Sequence, residues 1–191
     1  MTSNPTPQRF TYEEYLAREE ASLTKHEYLR GEIIDMAGAT PSHGGCAMNL
    51  AILLGSAIAD RPCRLFSSDV RVRIEATDLS TYPDLSVVCG ALATSERDAN
   101  AITNPVLLAE VLSPGTESYD RGAKLRHYLQ LSSLQEVVFV NHTSEVIEVY
   151  RRGDSGRFEL LVFEAGDTVE LTSVGARFPV AKVYENRLAA G

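Results

Sequence analysis

From Val106 to Leu112 the chain reads Val-Leu-Leu-Ala-Glu-Val-Leu, a nearly unbroken apolar run of the kind found in strands buried on both faces. Ser113-Pro114-Gly115-Thr116 stops it. The exception inside the run is Glu110, and burying an unpaired carboxylate costs several kcal/mol, so a proton, an ion pair or a metal must neutralise it. A second acid, Asp84, follows Tyr82-Pro83 and opens another apolar strand, Leu85-Ser86-Val87-Val88. If the two strands are neighbours, both carboxylates can share a divalent cation, and oxygen-only ligands favour magnesium or manganese.

Working outward, a helix is expected from about Ser118 to Leu131, with Leu125, Tyr128, Leu129 and Leu131 as its apolar contacts and Arg121, Lys124 and Arg126 as a basic cluster. Upstream, Leu65 to Glu75 alternates Val70, Val72 and Ile74 against Asp69, Arg71, Arg73 and Glu75, the period-two pattern of one strand, followed by a polar break from Thr77 to Thr81. The segment from Pro41 to Ala59 carries apolar side chains on nearly every face and predicts a largely buried helix, ended by Arg61-Pro62. Lys25 to Met36 reads as a hairpin with Arg30-Gly31 near its turn, and Thr11 with Glu14 forms a capping-box signal for a helix to about Glu20. Downstream, Glu136–Val140, Glu145–Tyr150 and Phe158–Phe163 form a strand-rich meander. The expected organisation is one α/β domain over residues 9–191 behind a disordered tail, residues 1–8.

Composition sets bounds on function. With 44% hydrophobic and 23% charged residues in 191, the chain has the makeup of a soluble globular domain. The polar first residues do not read as a signal peptide, and no apolar run approaches the roughly 20 residues of a membrane span. Three widely spaced cysteines, Cys46, Cys63 and Cys89, are odd in number and set among apolar residues, which predicts reduced core thiols and a cytoplasmic location. A net charge of -8 opposes tight nonspecific binding to a polyanion, although one locally basic helix can still meet a phosphate. There is no nucleophile elbow, Walker loop, dinucleotide fingerprint or zinc spacing.

Pro83-Asp84 followed by Glu110-Val-Leu-Ser-Pro-Gly-Thr is similar to the PD-(D/E)XK nuclease superfamily, and more narrowly resembles its Uma-two family. The likeness runs from the Tyr-Leu-Arg-Gly-Glu-Ile hairpin through Pro41-Ser42-His43, Asp69-Val-Arg, the two acids and Asp120-Arg121-Gly-Ala-Lys124 to Val137-Val138. It implies a restriction-endonuclease-like fold, a mixed central sheet flanked by helices, and magnesium- or manganese-dependent hydrolysis of nucleic acid, with DNA the expected substrate. Asp84 and Glu110 would hold the metal, with Glu32 as a further ligand. The sequence departs from the superfamily where a lysine is expected two positions after the second acid, because Leu112 stands there. Nucleases whose lysine has migrated point to Lys124 instead. The matching histidine is His43, a donor behind the acids or a water-positioning group, while Arg121 and Arg126 are expected to contact flanking phosphates. Paired cleavage of a duplex would call for a homodimer. Two alternatives stand beside this reading: a catalytically silent nucleic-acid-binding or regulatory module, and an oligomeric scaffold in which Glu110 pairs internally with Lys124 or Arg121.

Overall fold

A computed structural model of the chain describes residues 8–36 and 38–185, so residues 1–7 of the expected disordered tail lie outside the described residues. The first helix, α1 (Tyr12–Ala21), starts at Thr11, whose hydroxyl accepts from the Glu14 amide while the Glu14 carboxylate accepts from the Thr11 amide. Next comes the hairpin β1 (His26–Leu29) and β2 (Glu32–Asp35). Its two turn residues both have positive φ, 49° at Arg30 and 93° at Gly31, the backbone twist that matches a two-residue hairpin. Helix α2 (Pro41–Ala57) is capped by Thr40, whose hydroxyl accepts from the His43 amide.

Strands β3 (Cys63–Ser67), β4 (Arg71–Ile74), β5 (Leu79–Thr81), β6 (Leu85–Cys89), β7 (Thr94–Ser95), β8 (Asp98–Ile102) and β9 (Leu107–Leu112) follow. The connection out of β9 is α3 (Glu117–Tyr119), a π-helical turn (Asp120–Lys124) and α4 (Leu125–Tyr128). The chain continues through β10 (Glu136–Asn141), β11 (Val146–Arg152), β12 (Phe158–Glu164) and the hairpin β13 (Thr168–Leu171) and β14 (Ala176–Pro179), then a 3₁₀ turn, Val180–Tyr184.

The central sheet has the order β12-β11-β10-β9-β6-β3, and a second six-stranded sheet the order β2-β1-β5-β4-β8-β7. Within the central sheet only β9 and β10 run parallel, joined by the helical crossover that parallel neighbours require, so the sheet is mixed as expected. Alternation along β9 sends Leu107, Ala109 and Val111 into one core with Cys46, Leu50 and Leu54 of α2 and the C-terminal hairpin. Leu108 and Leu112 enter the other core, with Leu125 and Tyr128 of α4 and Val72, Ile74 and Leu79 of the second sheet. Glu110 belongs to that second face.

Several expectations are corrected. The stretch read as one strand from Leu65 to Glu75 breaks at Ser67–Val70 into β3 and β4, which lie in different sheets. Both arginines of the alternation, Arg71 and Arg73, are buried: Arg71 hydrogen-bonds Asp98 with Nε at 2.8 Å and Nη2 at 3.1 Å, and Arg73 stacks over the Tyr12 ring at 4.0 Å. The polar break contains β5, where Ser80 and Thr81 are buried by cross-strand pairing, and β7 and β8 were not anticipated. Helix α2 buries one stripe only, leaving Met48 61% and Ile52 62% exposed. The helix after β9 is broken by the π-helical turn and ends at Tyr128.

The cysteine reading is also corrected. Cys63 and Cys89 stand directly opposite one another on antiparallel β3 and β6 and form a disulfide, while Cys46 is buried in the core as expected. The cytoplasmic expectation rested on three reduced thiols and loses that support. Among the described residues no helix is long and apolar enough to cross a membrane.

Candidate active site

Pairing of Leu85 with Ala109 places Asp84, one residue before β6, level with Glu110 at the same end of two adjacent strands. The Asp84 Oδ2 atom accepts from the Val111 amide at 2.7 Å and lies 3.3 Å from His43 Nε2, so the strand edge and the first turn of α2 fix this carboxylate. Glu110 is only 5% exposed, and its Oε1 accepts from the Tyr128 hydroxyl and lies 2.9 Å from Lys124 Nζ. Both acids line a cavity of about 650 Å³ between the central sheet, α2 and the loops after β2 and β9.

Lys124 supplies the positive charge of this cluster. Its Nζ lies 2.9 Å from Glu110, 3.1 Å from Glu27 and 3.6 Å from Asp120, and the side chain is 94% removed from solvent. Asp120 and Lys124 open and close the π-helical turn, a local widening that often marks functional positions. Glu27 arrives from β1 in the second sheet, and its carboxylate also accepts from the Thr81 and Tyr119 hydroxyls.

Acids outnumber bases here, and the protonation equilibria respond. Burial, reinforced by Asp84 and Asp120, pushes the Glu110 carboxyl up to about 7 against the opposing pull of Lys124 and Tyr128. Burial likewise raises Asp120. Burial alone would lower Lys124, but Glu110, Tyr128, Glu27 and Asp120 outweigh it and hold the ammonium charged. The hydrogen bond to Asp84 raises His43 despite burial, and the other ring nitrogen, Nδ1, is buried without a hydrogen-bond partner among the described residues.

Asp84, Glu110, Lys124 and His43 therefore meet in one cavity. Glu32 does not join them: it is exposed on β2, paired with Arg9 at 3.7 Å, and the cavity is not lined by it. Arg121 is held by Glu117 at 2.8 Å and by Glu148, and Arg126 is exposed on α4; neither lines the cavity. Asp69 hydrogen-bonds Ser67 and Lys25 in the turn between β3 and β4. Sequence reasoning missed Glu27, Asp120, Tyr119 and Tyr128 as members of the cluster. The four-residue spacing of Asp120 and Lys124 was the available signal, because acid and base at i and i+4 share a helix face. Glu27 had none, since its partners come from distant segments. By contrast, the fully buried Glu136 accepts from Arg151, Thr172 and Ser173, which satisfies it as a tie between the central sheet and the C-terminal hairpin.

The donor chemistry suits a hard cation. Asp84 uses only Oδ2 and Glu110 only Oε1 in hydrogen bonds among the described residues, leaving one oxygen on each. No group of three or more His, Cys, Asp or Glu side chains that could hold a metal occurs among the described residues. A magnesium-type ion needs no such cage, because it commonly keeps its waters and takes one or two carboxylates plus substrate phosphate.

Comparison with known proteins gives the family and the fold. Residues 12–181 match the Uma2 family model, described as "Putative restriction endonuclease". Two uncharacterized proteins of Synechocystis sp. (strain ATCC 27184 / PCC 6803 / Kazusa) are similar: one is 37% identical over 182 residues, covering 95% of this chain and 94% of its own length. The other is 35% identical over 167 residues, covering 87% and 93%. The crystal structure of a "putative nuclease belonging to DUF820" from Anabaena variabilis ATCC 29413 shares the fold, with a TM-score of 0.76 at 23% identity over 92% of this chain and 97% of that one. The chain belongs to the Uma2 family and has its restriction-endonuclease-like PD-(D/E)XK fold.

Proposed function

We propose that this chain is a magnesium- or manganese-dependent nuclease that hydrolyses phosphodiester bonds in nucleic acid, with DNA the expected substrate. The observation that carries the reading is the meeting of Asp84, Glu110 and Lys124 in one cavity, with the ammonium 2.9 Å from the buried carboxylate. Asp84 and Glu110 would hold the ion through the oxygens not used in hydrogen bonds, and the ion when bound supplies Lewis-acid polarisation of the phosphate and a more acidic water. Lys124 places a fixed positive charge beside the acids, where charge develops on the phosphate during in-line attack. His43 holds a proton at Nε2 toward Asp84 and so fixes the orientation of that carboxylate. Arg126, exposed on α4, is the better placed of the two arginines for flanking phosphate, because Arg121 is engaged by two glutamates. A homodimer belongs to the same reading, since paired cleavage of a duplex calls for two sites.

The competing scaffold reading is favoured by the same ion pair, since Lys124 already neutralises Glu110 without a metal. Calorimetric titration with manganese, alongside cleavage assays on duplex DNA, single-stranded DNA and RNA, separates the two. The nuclease reading expects saturable binding and turnover that are both lost in Asp84→Ala. Cleavage that survives in Asp84→Ala, or a wild-type chain that binds no manganese, overturns it.

A further inference from the structure

We infer that Glu27 is a positioning residue for Lys124: the counter-charge that keeps the ammonium beside Glu110 when a cation takes up the Glu110 carboxylate. The inference rests on the nuclease reading for its purpose, but its geometry stands alone. A lysine ammonium has three N–H donors and no acceptor, and sealing it from water is costly unless those donors are met. Here three carboxylates surround it, at 2.9 Å (Glu110), 3.1 Å (Glu27) and 3.6 Å (Asp120). Glu110 is the partner that a bound ion would claim, and a dication beside Lys124 would repel it. Retaining a buried ammonium next to a dication therefore needs negative charge on its far side that the dication does not share.

Glu27 meets that need better than Asp120. The two are equally buried, but Glu27 is closer, and it is anchored on a different sheet from Glu110, so its position does not follow movements of β9. The Thr81 hydroxyl donates to one of its oxygens and the Tyr119 hydroxyl to the other at 3.2 Å, which orients the carboxylate toward the lysine rather than toward solvent. Asp120, in contrast, shares the π-helical turn with Lys124 and moves with it.

The chain has three lysines, Lys25, Lys124 and Lys182, which makes a lysine-specific measurement practical. In ¹⁵N-lysine NMR of the full chain, assigned by Lys124→Gln, the Lys124 ammonium protons should exchange slowly with water in the wild type and too fast to observe in Glu27→Gln. In the manganese-supported cleavage assay, Glu27→Gln should lower kcat by about 10²-fold, the penalty typical of a misplaced catalytic group, with KM little changed. Glu27→Asp should recover part of the kcat loss, which a merely structural role would not produce. An unchanged Lys124 ammonium signal in a folded Glu27→Gln chain overturns the inference, as does an unchanged kcat in an active enzyme. Should Glu27→Gln not fold, Tyr119→Phe and Thr81→Val each remove one hydrogen bond from Glu27 and must speed Lys124 exchange; unaltered exchange in both overturns it. A wild type that cleaves nothing sinks the nuclease reading, and the exchange measurement still decides the placement of Glu27.

Discussion

The Lys124 ammonium lies 2.9 Å from the Glu110 carboxylate, with both side chains more than nine-tenths buried. In that setting neither charge has water to fall back on, and each depends on the other and on Glu27 and Asp120 around them. The cluster carries more acid than base, so removing or adding one positive charge has effects that can be read separately.

Lys124→Met should destabilise the fold by about 3–5 kcal/mol at pH 8, because it strands buried carboxylates. The Glu110 carboxyl, already raised to about 7, can shed that penalty by taking a proton. The loss measured by urea denaturation should therefore be smaller at pH 6 than at pH 8, and manganese should restore part of it at pH 8. Equal losses at both pH values would contradict the assignment of Glu110 as the stranded charge.

Manganese affinity should rise with pH across the range around 7. Glu110 binds an ion only as the carboxylate, and burial holds its carboxyl at about 7, so below that value an ion must displace a proton. Calorimetry in buffers of different ionisation enthalpy should show close to one proton released per ion at pH 6 and fewer at pH 8. Affinity that is flat from pH 6 to 8 would place the ion elsewhere.

Asp98 should make the fold acid-sensitive. Burial works to raise its carboxyl, but the paired hydrogen bonds from Arg71 prevail and hold it below the ordinary value of 3.8. A lowered folded value means that its stabilisation is complete above pH 3.8 and is lost as pH falls through the depressed value. Asp98→Asn should cost about 3–5 kcal/mol near neutrality by leaving Arg71 buried without its counter-charge. Its Tm should also fall less steeply than that of the wild type between pH 4 and pH 2, and parallel curves would reject the role given to this pair.

Thiol titration of the denatured, unreduced chain should find one thiol, that of Cys46, rather than three. Reduction, or Cys63→Ser with Cys89→Ser, should lower stability by about 2–4 kcal/mol, the usual worth of a cross-link closing a loop of this size. Three reactive thiols would return the cysteines to the reduced state expected from their spacing.

Much of this arrangement was legible in the linear chain, for identifiable reasons. Glu110 stood out because an acid inside Val-Leu-Leu-Ala-Glu-Val-Leu has no solvent-facing explanation, and the hairpin at Arg30-Gly31 and the Thr11 cap are local signals that tertiary structure had no cause to override. The burial of Arg71 and Arg73 was not legible, because alternation reports two faces, not which of them meets water, and β4 is covered on both. The disulfide was hidden by a separation of 26 residues, since only the pairing of β3 with β6 sets the two cysteines opposite each other. Glu27 was invisible for the same reason: its partners Thr81, Tyr119 and Lys124 are brought to it by the packing of the second sheet against the crossover helix.

The π-helical turn between Asp120 and Lys124 acts as a phase adjuster. Deleting one residue inside it, Gly122 or Ala123, would return the crossover to an even α-helical pitch and rotate the segment before the gap by about 100° relative to the segment after it. Tyr119 and Asp120 would swing off Glu27 and Lys124, while Lys124 and Tyr128 would still reach Glu110. A single codon's worth of length thus separates a lysine held by three carboxylates from one held by two, with Glu27 stripped of its Tyr119 hydrogen bond, and the tolerance of this segment to such a deletion is a direct gauge of how much the outer half of the cluster matters.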